Sequence, residues 1–357
     1  MTVATPISGN YMAESESVVP PIMTRVVVAI PTFNEARTIE TVLKTIASEK
    51  AELPNLEIVV VDGGSRDDTI AIAERFASGA PFVHVVSHPG EWISAAVNFV
   101  AVSWASKAEI MVRCDAHSHY PDRYVAKLLE TLQSTGAASV VVPMDSVGRT
   151  CAEKAVAWVS DTIVGSGGSA HRGGKASGFI DHGHHAAFRL SNFLAVRGYD
   201  EAFTCNEDAE LDCRIRAAGG KIYLDASIRI DYHPRGQIAS LWKQYYKYGR
   251  GRSQTIKRHA GSMRLRQIAL PGHVVIMLLS VAAAAVAGSW YYLAWPALYA
   301  AILALTSLAV AAKKRSLCGL LAGPAAFIMH TAWGLGFWRG LLFLEPPELV
   351  SAVPADS

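Results

Sequence analysis

Three successive stretches without a single Asp, Glu, Lys or Arg lie near the end of this chain, at 268–288, 289–312 and 316–338. Each is long enough for a membrane helix, which needs about twenty apolar residues. A soluble domain rarely carries three in a row. Basic residues precede the first (Lys257, Arg258, Arg264, Arg266) and separate the second from the third (Lys313, Lys314, Arg315). The link between first and second, Ser289-Trp290-Tyr291-Tyr292, is uncharged and aromatic. The positive-inside rule then places the residues before about 260 in the cytoplasm. Gly319, Gly323, Pro324 and Gly334 make the third stretch the weakest, open to a kinked or re-entrant path.

The earlier part of the chain has a different rhythm. The first twenty or so residues carry Glu14 and Glu16 and no apolar segment, so they do not read as a secretory signal; a disordered leader over 1–24 is expected. Apolar, β-branched runs at 25–31, 56–62, 82–86, 110–115 and 138–143 then alternate with helical patterns, including one over 91–106. That alternation predicts right-handed βαβ crossovers and a mostly parallel sheet. The glycine-rich segment 165–178 interrupts it, and reads equally as a linker or as a mobile substrate loop. A histidine-rich strand over 180–189 follows, then a helix near 207–218, strands at 221–224 and 228–232, and a basic, aromatic helix over 238–259. The expected organisation is an α/β domain over 25–260, a membrane domain of about three helices over 268–344, and a tail over 345–357.

Across 357 residues the net charge is +2, which argues against wholesale nucleic-acid binding. Five scattered cysteines without a C-x-x-C suit a reducing compartment better than a disulfide framework, each as a small buried apolar residue.

Chemistry gathers at the strand ends. Ile110-Met111-Val112-Arg113-Cys114-Asp115-Ala116-His117 reads as a buried strand that stops at two candidate metal ligands, Asp115 and His117. In an open α/β sheet, ligands bind just beyond the carboxyl ends of the strands. Asn34 and Glu35 follow the first strand, Asp62 ends the second, and Glu207 and Asp208 open a later helix. Acids clustered on one sheet edge repel one another unless a cation or base is bound there, so together they mark a site. No G-x-G-x-x-G follows the first strand and no phosphate-binding G-x-x-x-x-G-K-[ST] loop occurs, which disfavours a dinucleotide oxidoreductase or a P-loop enzyme. His182, His184 and His185 raise a rival reading as a second metal site; on one strand His182 and His184 would share a face, and acceptor contacts or packing are the favoured roles.

Five motifs occur in one order: Pro31-Thr32-Phe33-Asn34-Glu35, Val61-Asp62-Gly63-Gly64-Ser65, the D-x-H at Asp115, Arg197-Gly198-Tyr199-Asp200-Glu201, and Asn206-Glu207-Asp208-Ala209-Glu210-Leu211. Over residues 25–260 the chain resembles the inverting family 2 glycosyltransferases of the GT-A fold, most of all the membrane-associated succinoglycan-type exopolysaccharide glucosyltransferases. The resemblance implies an α/β, mostly parallel mixed sheet flanked by helices, with C-terminal transmembrane helices. It implies a nucleotide-diphospho-sugar donor held by Pro31, Asn34, Glu35, Asp62, Gly64 and Asp115. A divalent cation, Mn2+ or Mg2+, would sit on Asp115 and His117, with His233 as a third ligand. Asp208 would be the general base, with Glu207 assisting it. Gln244 begins a degraded Q-x-x-R-W motif and, with Arg250, Arg252 and His184, would meet the acceptor or a diphosphate.

The activity so implied is transfer of a hexose, glucose from UDP-glucose, in β-linkage onto a polyprenyl-diphosphate-linked saccharide. The implied setting is the bacterial inner membrane, among membrane lipids and other exopolysaccharide assembly enzymes. A processive polysaccharide synthase and an inactive membrane scaffold are the alternatives. The incomplete Q-x-x-R-W motif and the few spans count against the first; intact Asp62, Asp115 and Asp208 count against the second.

Overall fold

Alternation along the first strand sets the architecture. In β1 (Val26–Thr32), Val26, Val28 and Ile30 enter one buried cluster and Val27 and Ala29 another, because successive side chains of a strand point to opposite faces. A strand apolar on both faces must be covered on both. The computed structural model describes residues 22–88, 93–167, 174, 176–232, 234–345, 348–351 and 353–354, and there β1 is covered in this way. Most of the leader, Glu91, His233 and half of the glycine-rich segment lie outside the described residues.

Strands β2 (Leu56–Asp62), β3 (Val83–Ser87) and β4 (Ile110–Arg113) join β1 in parallel. Further along come β5 (Ser139–Val141), β6 (Met144–Ser146), β7 (Gly178–Ile180), β8 (His185–Arg189), β9 (Ile222–Leu224) and β10 (Ile230–Tyr232). The main sheet runs β3-β2-β1-β4-β8-β5-β9-β7, with β8 antiparallel to both its neighbours and β7 antiparallel to β9; β6 and β10 form a separate parallel pair. The sheet is therefore mixed and mostly parallel. Helices α1 (Ile39–Ala47), α2 (Thr69–Ser78), α3 (Ile93–Ser103) and α4 (Tyr124–Thr135) link the early strands. Ile39 and Leu43 of α1, Ala73 of α2 and Val125 and Leu128 of α4 cover one face, and Val97 and Val100 of α3 the other. Then follow α5 (Cys151–Ser160), α6 (Ile163–Ser166), α7 (Leu190–Ala195) and α8 (Glu207–Ala217). Phe193 of α7 and Leu211 and Ile215 of α8 complete the second face.

The histidine-rich run is not one strand. Asp181 to His184 turn between β7 and β8, which pair with different neighbours. Gly183 makes this turn possible, since a Cβ there would press on the Val141 side chain at 2.6 Å, and its N–H donates to the buried Asp212 carboxylate at 3.3 Å. The shared face expected for His182 and His184 accordingly does not arise. Two cysteines also depart from expectation, because Cys151 and Cys318 form a disulfide across a sequence separation of 167.

Helix α9 (Ile238–Arg258) is less solvated than its charge implied, with Leu241, Tyr245, Gly249, Arg252, Ser253 and Ile256 among its buried residues. It packs between the α/β domain and the apolar helices α10 (Leu265–Ala287), α11 (Ala294–Lys314) and α12 (Ala322–Phe343). The helical segments Gln267–Ala287, Trp290–Lys314 and Leu317–Phe343 are long and apolar enough to cross a membrane. The third runs unbroken as α12, with Pro324 in its first turn, where a missing N–H costs nothing. After α12 the chain returns to the α/β domain. The Glu201 N–H donates to the Val350 carbonyl at 2.7 Å, and Val353 is buried in the second sheet-face cluster.

Candidate active site

Three parallel strands end at one edge. Register pairs Thr32 of β1 with Asp62 of β2, and β4 leaves β1 on the other side, so the connections diverge at β1. Ligands bind at such a switch point. The loops after β1 and β2 are stapled together. The Asn34 N–H donates to Ser65 Oγ at 2.8 Å, the Arg66 N–H to Asn34 Oδ1 at 2.8 Å, and the Glu35 N–H to Thr69 Oγ1 at 2.8 Å. Asn34 adopts a left-handed conformation (φ 55°), which Asn tolerates better than most residues, and Gly64 reaches φ 97°. Asp62 Oδ2 accepts from the N–H groups of Gly64 and Ser65 at 2.8 and 2.9 Å, while its buried Oδ1 has no hydrogen-bond partner among the described residues. A buried acceptor with lone pairs to offer is suited to a ligand N–H or hydroxyl. Pro31 closes this edge in register with Val61.

The centre is a buried arginine. Arg113, the last residue of β4, donates from Nε to Asp115 Oδ1 at 3.3 Å and from Nη1 to Asp208 Oδ1 at 3.3 Å. Burial disfavours its charge, but Asp115, Tyr199 and Asp208 together hold its pKa well above the ordinary value. Tyr199 OH donates to the same Asp208 oxygen at 2.7 Å. Tyr199 is fixed by Asn98 of α3, whose amide meets both its N–H (2.8 Å) and its carbonyl (2.9 Å). His184 bridges the remaining gap, with Nε2 3.8 Å from Asp115 Oδ2 and Nδ1 3.6 Å from Asp208 Oδ2. Burial acts to raise the Asp115 pKa, but Arg113, His184 and His117 outweigh it and the carboxyl lies below its usual range. Glu207 moves the other way, raised by burial and then by the neighbouring Asp208 charge. Beside it at the start of α8, Asp208 accepts from Arg113 and Tyr199.

His117 is half exposed and shares a hydrogen bond with Glu35 Oε1 at 2.9 Å. Among the described residues no group of three or more His, Cys, Asp or Glu side chains is arranged to hold a metal ion. One carboxylate with imidazoles nearby nonetheless fits an ion that takes its other ligands from a bound diphosphate and water. Gln244 donates to Tyr232 OH at 2.6 Å and Tyr248 OH at 2.9 Å, and Arg250 reaches Thr204 Oγ1 at 3.4 Å, just before the α8 turn. Arg252 lies towards the other end of α9. It is buried, and donates to the Ser262 carbonyl and to Gln267 Oε1 (2.8 Å) at the corner between α9 and α10.

The profile of glycosyl transferase family 2 matches residues 27–194. The succinoglycan biosynthesis protein ExoA of Rhizobium meliloti is 39% identical over 315 residues, covering 88% of this chain and 94% of that protein. The chain belongs to glycosyltransferase family 2. A more distant relative of this glycosyltransferase is a Methanococcus voltae protein, the dolichyl N-acetyl-alpha-D-glucosaminyl phosphate 3-beta-D-2,3-diacetamido-2,3-dideoxy-beta-D-glucuronosyltransferase, 20% identical over 323 residues, 88% of this chain and 96% of that one. Among solved structures, the mannosyltransferase PcManGT from Pyrobaculum calidifontis in complex with GDP-Man and Mn2+ has a TM-score of 0.59 at 21% identity, over 91% of this chain and 90% of that one. That likeness is one of fold.

Sequence reasoning passed over two groups in this glycosyltransferase. Arg113 was signalled by a charge inside a buried strand, which is affordable only beside carboxylates. Behind α8 lies a second buried network: Arg258 pairs with Asp200, and Glu210 accepts from His259 (3.0 Å) and from Arg214. Burial acts to raise the Glu210 pKa, but the hydrogen bonds from His259 and Arg214 bring it down to about 2. A carboxyl pKa depressed on folding stabilises the native state above its unfolded value of about 4.3, and that contribution is lost as pH falls through the folded value. The gap in melting temperature between wild type and Glu210→Gln is therefore expected to be widest near neutral pH. It should narrow from about pH 4.5 towards pH 2, as thermal melts of the purified protein would show.

Proposed function

We propose that this glycosyltransferase is a metal-dependent, inverting enzyme that adds one hexose, glucose from UDP-glucose, in β-linkage to a polyprenyl-diphosphate-linked saccharide. The proposed setting is the cytoplasmic face of the bacterial inner membrane, in exopolysaccharide assembly. The observation that carries it is the joining of Asp208, at the start of α8, to the Asp115 strand end through Arg113 and His184. The name of the Rhizobium relative supports the pathway class, and that of the Methanococcus relative supports a lipid-phosphate acceptor.

In this reading Asn34, Glu35, Gly64 and the open oxygen of Asp62 hold the nucleotide. Asp208 accepts the proton of the acceptor hydroxyl as that oxygen attacks the anomeric carbon from the face opposite the leaving group. The anomeric C–O bond breaks, its electron pair leaves with the nucleoside diphosphate, and the configuration inverts. Arg113 and Tyr199 keep the Asp208 carboxylate in place, and Glu207, with its raised pKa, stands beside it. Asp115 and His117 would hold the divalent cation against the diphosphate; when bound, it offsets the charge that develops there. Imidazole among the ligands favours Mn2+ over Mg2+. Arg250 lies on the acceptor side, beside the α8 turn.

The test incubates membranes containing the enzyme with a panel of nucleotide sugars, and with either the lipid-linked acceptor or its free saccharide. One sugar is expected to move, once per acceptor, to the lipid-linked form. Exhaustive chelation is expected to stop transfer and Mn2+ to restore it. Equal use of the free saccharide would defeat the lipid assignment, a ladder of long products the single addition, and full activity after chelation the metal.

A further inference from the structure

We propose that α12, for all its apolar character, does not cross the membrane. It lies along the bilayer surface on the side of the catalytic domain, with its one exposed stripe at the headgroup–acyl boundary, and α10 and α11 alone make the crossing.

The placement of α12 follows from where it is fastened. At its start, Cys318 in the turn Leu317–Leu321 packs against Cys151, the first residue of α5, with their Cα atoms 4.9 Å apart. Twelve residues on, the His330 imidazole Nε2 is 2.8 Å from the Val164 carbonyl of α6, and Val156 and Val159 of α5 share one buried cluster with α9 and α12. Along its second half α12 runs beside α9 in the same direction: a Cβ on Gly249 would overlap the Trp333 carbonyl, one on Gly336 the Tyr246 carbonyl, and one on Gly340 the Ser253 hydroxyl. Just past its end, Lys257 donates to the Leu344 carbonyl at 2.6 Å. The Val350 N–H then donates to Asp200 Oδ1 at 3.1 Å, Ser351 Oγ donates to the Arg197 carbonyl at 2.6 Å, and Val353 is buried in the sheet-face cluster. A spanning helix must carry its two ends to opposite sides of about 30 Å of hydrocarbon. A helix held at its start and middle by the α5–α6 segment, whose first turn packs on Gly236 after β10, and followed at once by residues bound to Asp200 and Arg197, has no such freedom.

Its neighbour points the same way. Helix α9 carries Lys243, Lys247, Arg250, Arg252, Lys257 and Arg258, a load that hydrocarbon would not accept. α12 lies against it and therefore at its depth. The apolar composition of α12 has another cause: Gly323, Ala325, Ala326, Ala332, Gly334, Gly336 and Gly340 are all buried, small because backbones approach closely there. Of the most apolar stretch of this segment 56% is buried within the protein, against 11% for the first and 17% for the second. Those two present bare sides, Leu278, Leu279 and Val286 on α10 and Leu305 and Leu308 on α11, that only lipid would cover. What α12 leaves exposed is a stripe with Pro324, Phe327, Arg339, Leu342 and Phe343, mostly apolar with one cation near its end, as suits a helix lying in an interface. Lys313, Lys314 and Arg315 then fall on the catalytic side and Trp290, Tyr291 and Tyr292 at the far interface, in keeping with both membrane-orientation rules.

The experiment places a short epitope at the N-terminus, after Ser357, or within the 289–292 link of the full chain, and asks which is reached by protease in right-side-out and in everted vesicles. The N- and C-terminal epitopes are expected to be reached from one face and the link epitope from the other. A C-terminal epitope reached only from the face opposite the N-terminal one would overturn the proposal, as would a link epitope reached from the same face as both ends. A second measurement avoids insertions. Glu348→Cys is expected to take a membrane-impermeant maleimide, above the wild-type background, in everted vesicles; added labelling confined to right-side-out vesicles would overturn it.

Discussion

Asp208→Asn is expected to lower the rate of sugar transfer by about a thousandfold, within the range lost when a positioned general base is removed. The amide keeps the size of the carboxylate, and its oxygen can still accept from Tyr199 and Arg113, the two groups that hold Asp208 in place. What it loses is the ability to take a proton. Donor binding should therefore survive, and the loss should fall on kcat, not on the KM for the nucleotide sugar. Steady-state kinetics with varied donor, beside a thermal melt, check it. A variant with near wild-type turnover would remove Asp208 from the mechanism. A wild type without turnover on any donor would favour the inactive-scaffold reading.

Arg113→Met is the second large effect expected, and its signature differs. Arg113 is the cation between Asp115 and Asp208, and its side chain is only 4% exposed. Without it two carboxylates face each other across His184 with their main counter-charge gone. Removing one partner from a buried ion pair costs about 3–5 kcal/mol; because the two acids here are partly exposed, about 2–3 kcal/mol is the expected loss of stability. The pH dependence carries more information. Arg113 is the foremost influence lowering the Asp115 pKa against burial, so its removal should raise it. The acid limb of the pH–rate profile should move to higher pH, and Arg113→Lys, which keeps the charge but not the two-pronged geometry, should return the limb most of the way. An acid limb that stays in place while stability falls would leave Arg113 a purely structural residue.

Particular elements explain how much of this was visible beforehand. The ends of β1, β2 and β4 were readable because a parallel strand buried on both faces is an unbroken apolar run whose stop is abrupt, and Glu35, Asp62 and Asp115 stand at those stops. Asp208 was readable from its motif. The turn at His182–His184 was not, since alternation cannot distinguish a continuous strand from two strands joined at Gly183, and the distinction lies in how closely Val141 approaches. Pairing of Cys151 with Cys318 leaves no local trace at a separation of 167 residues. The surroundings of α12 were equally hidden. Hydropathy counts apolar atoms but does not say whether lipid or protein covers them, and Gly336 and Ala326 score alike in either setting.

The burial of Val353 has a consequence for how the molecule is made. A ribosome delivers the α/β strands first, then α10 and α11, and only after them Val353, which joins the cluster of Val27, Val97 and Leu211 on the second face of the sheet. That corner of the core therefore cannot close until both apolar helices have left the ribosome. Completion of the core thus comes after the apolar helices are made, and a nascent chain whose apolar helices stayed uncovered would be open to chaperones and proteases before Val353 is in place.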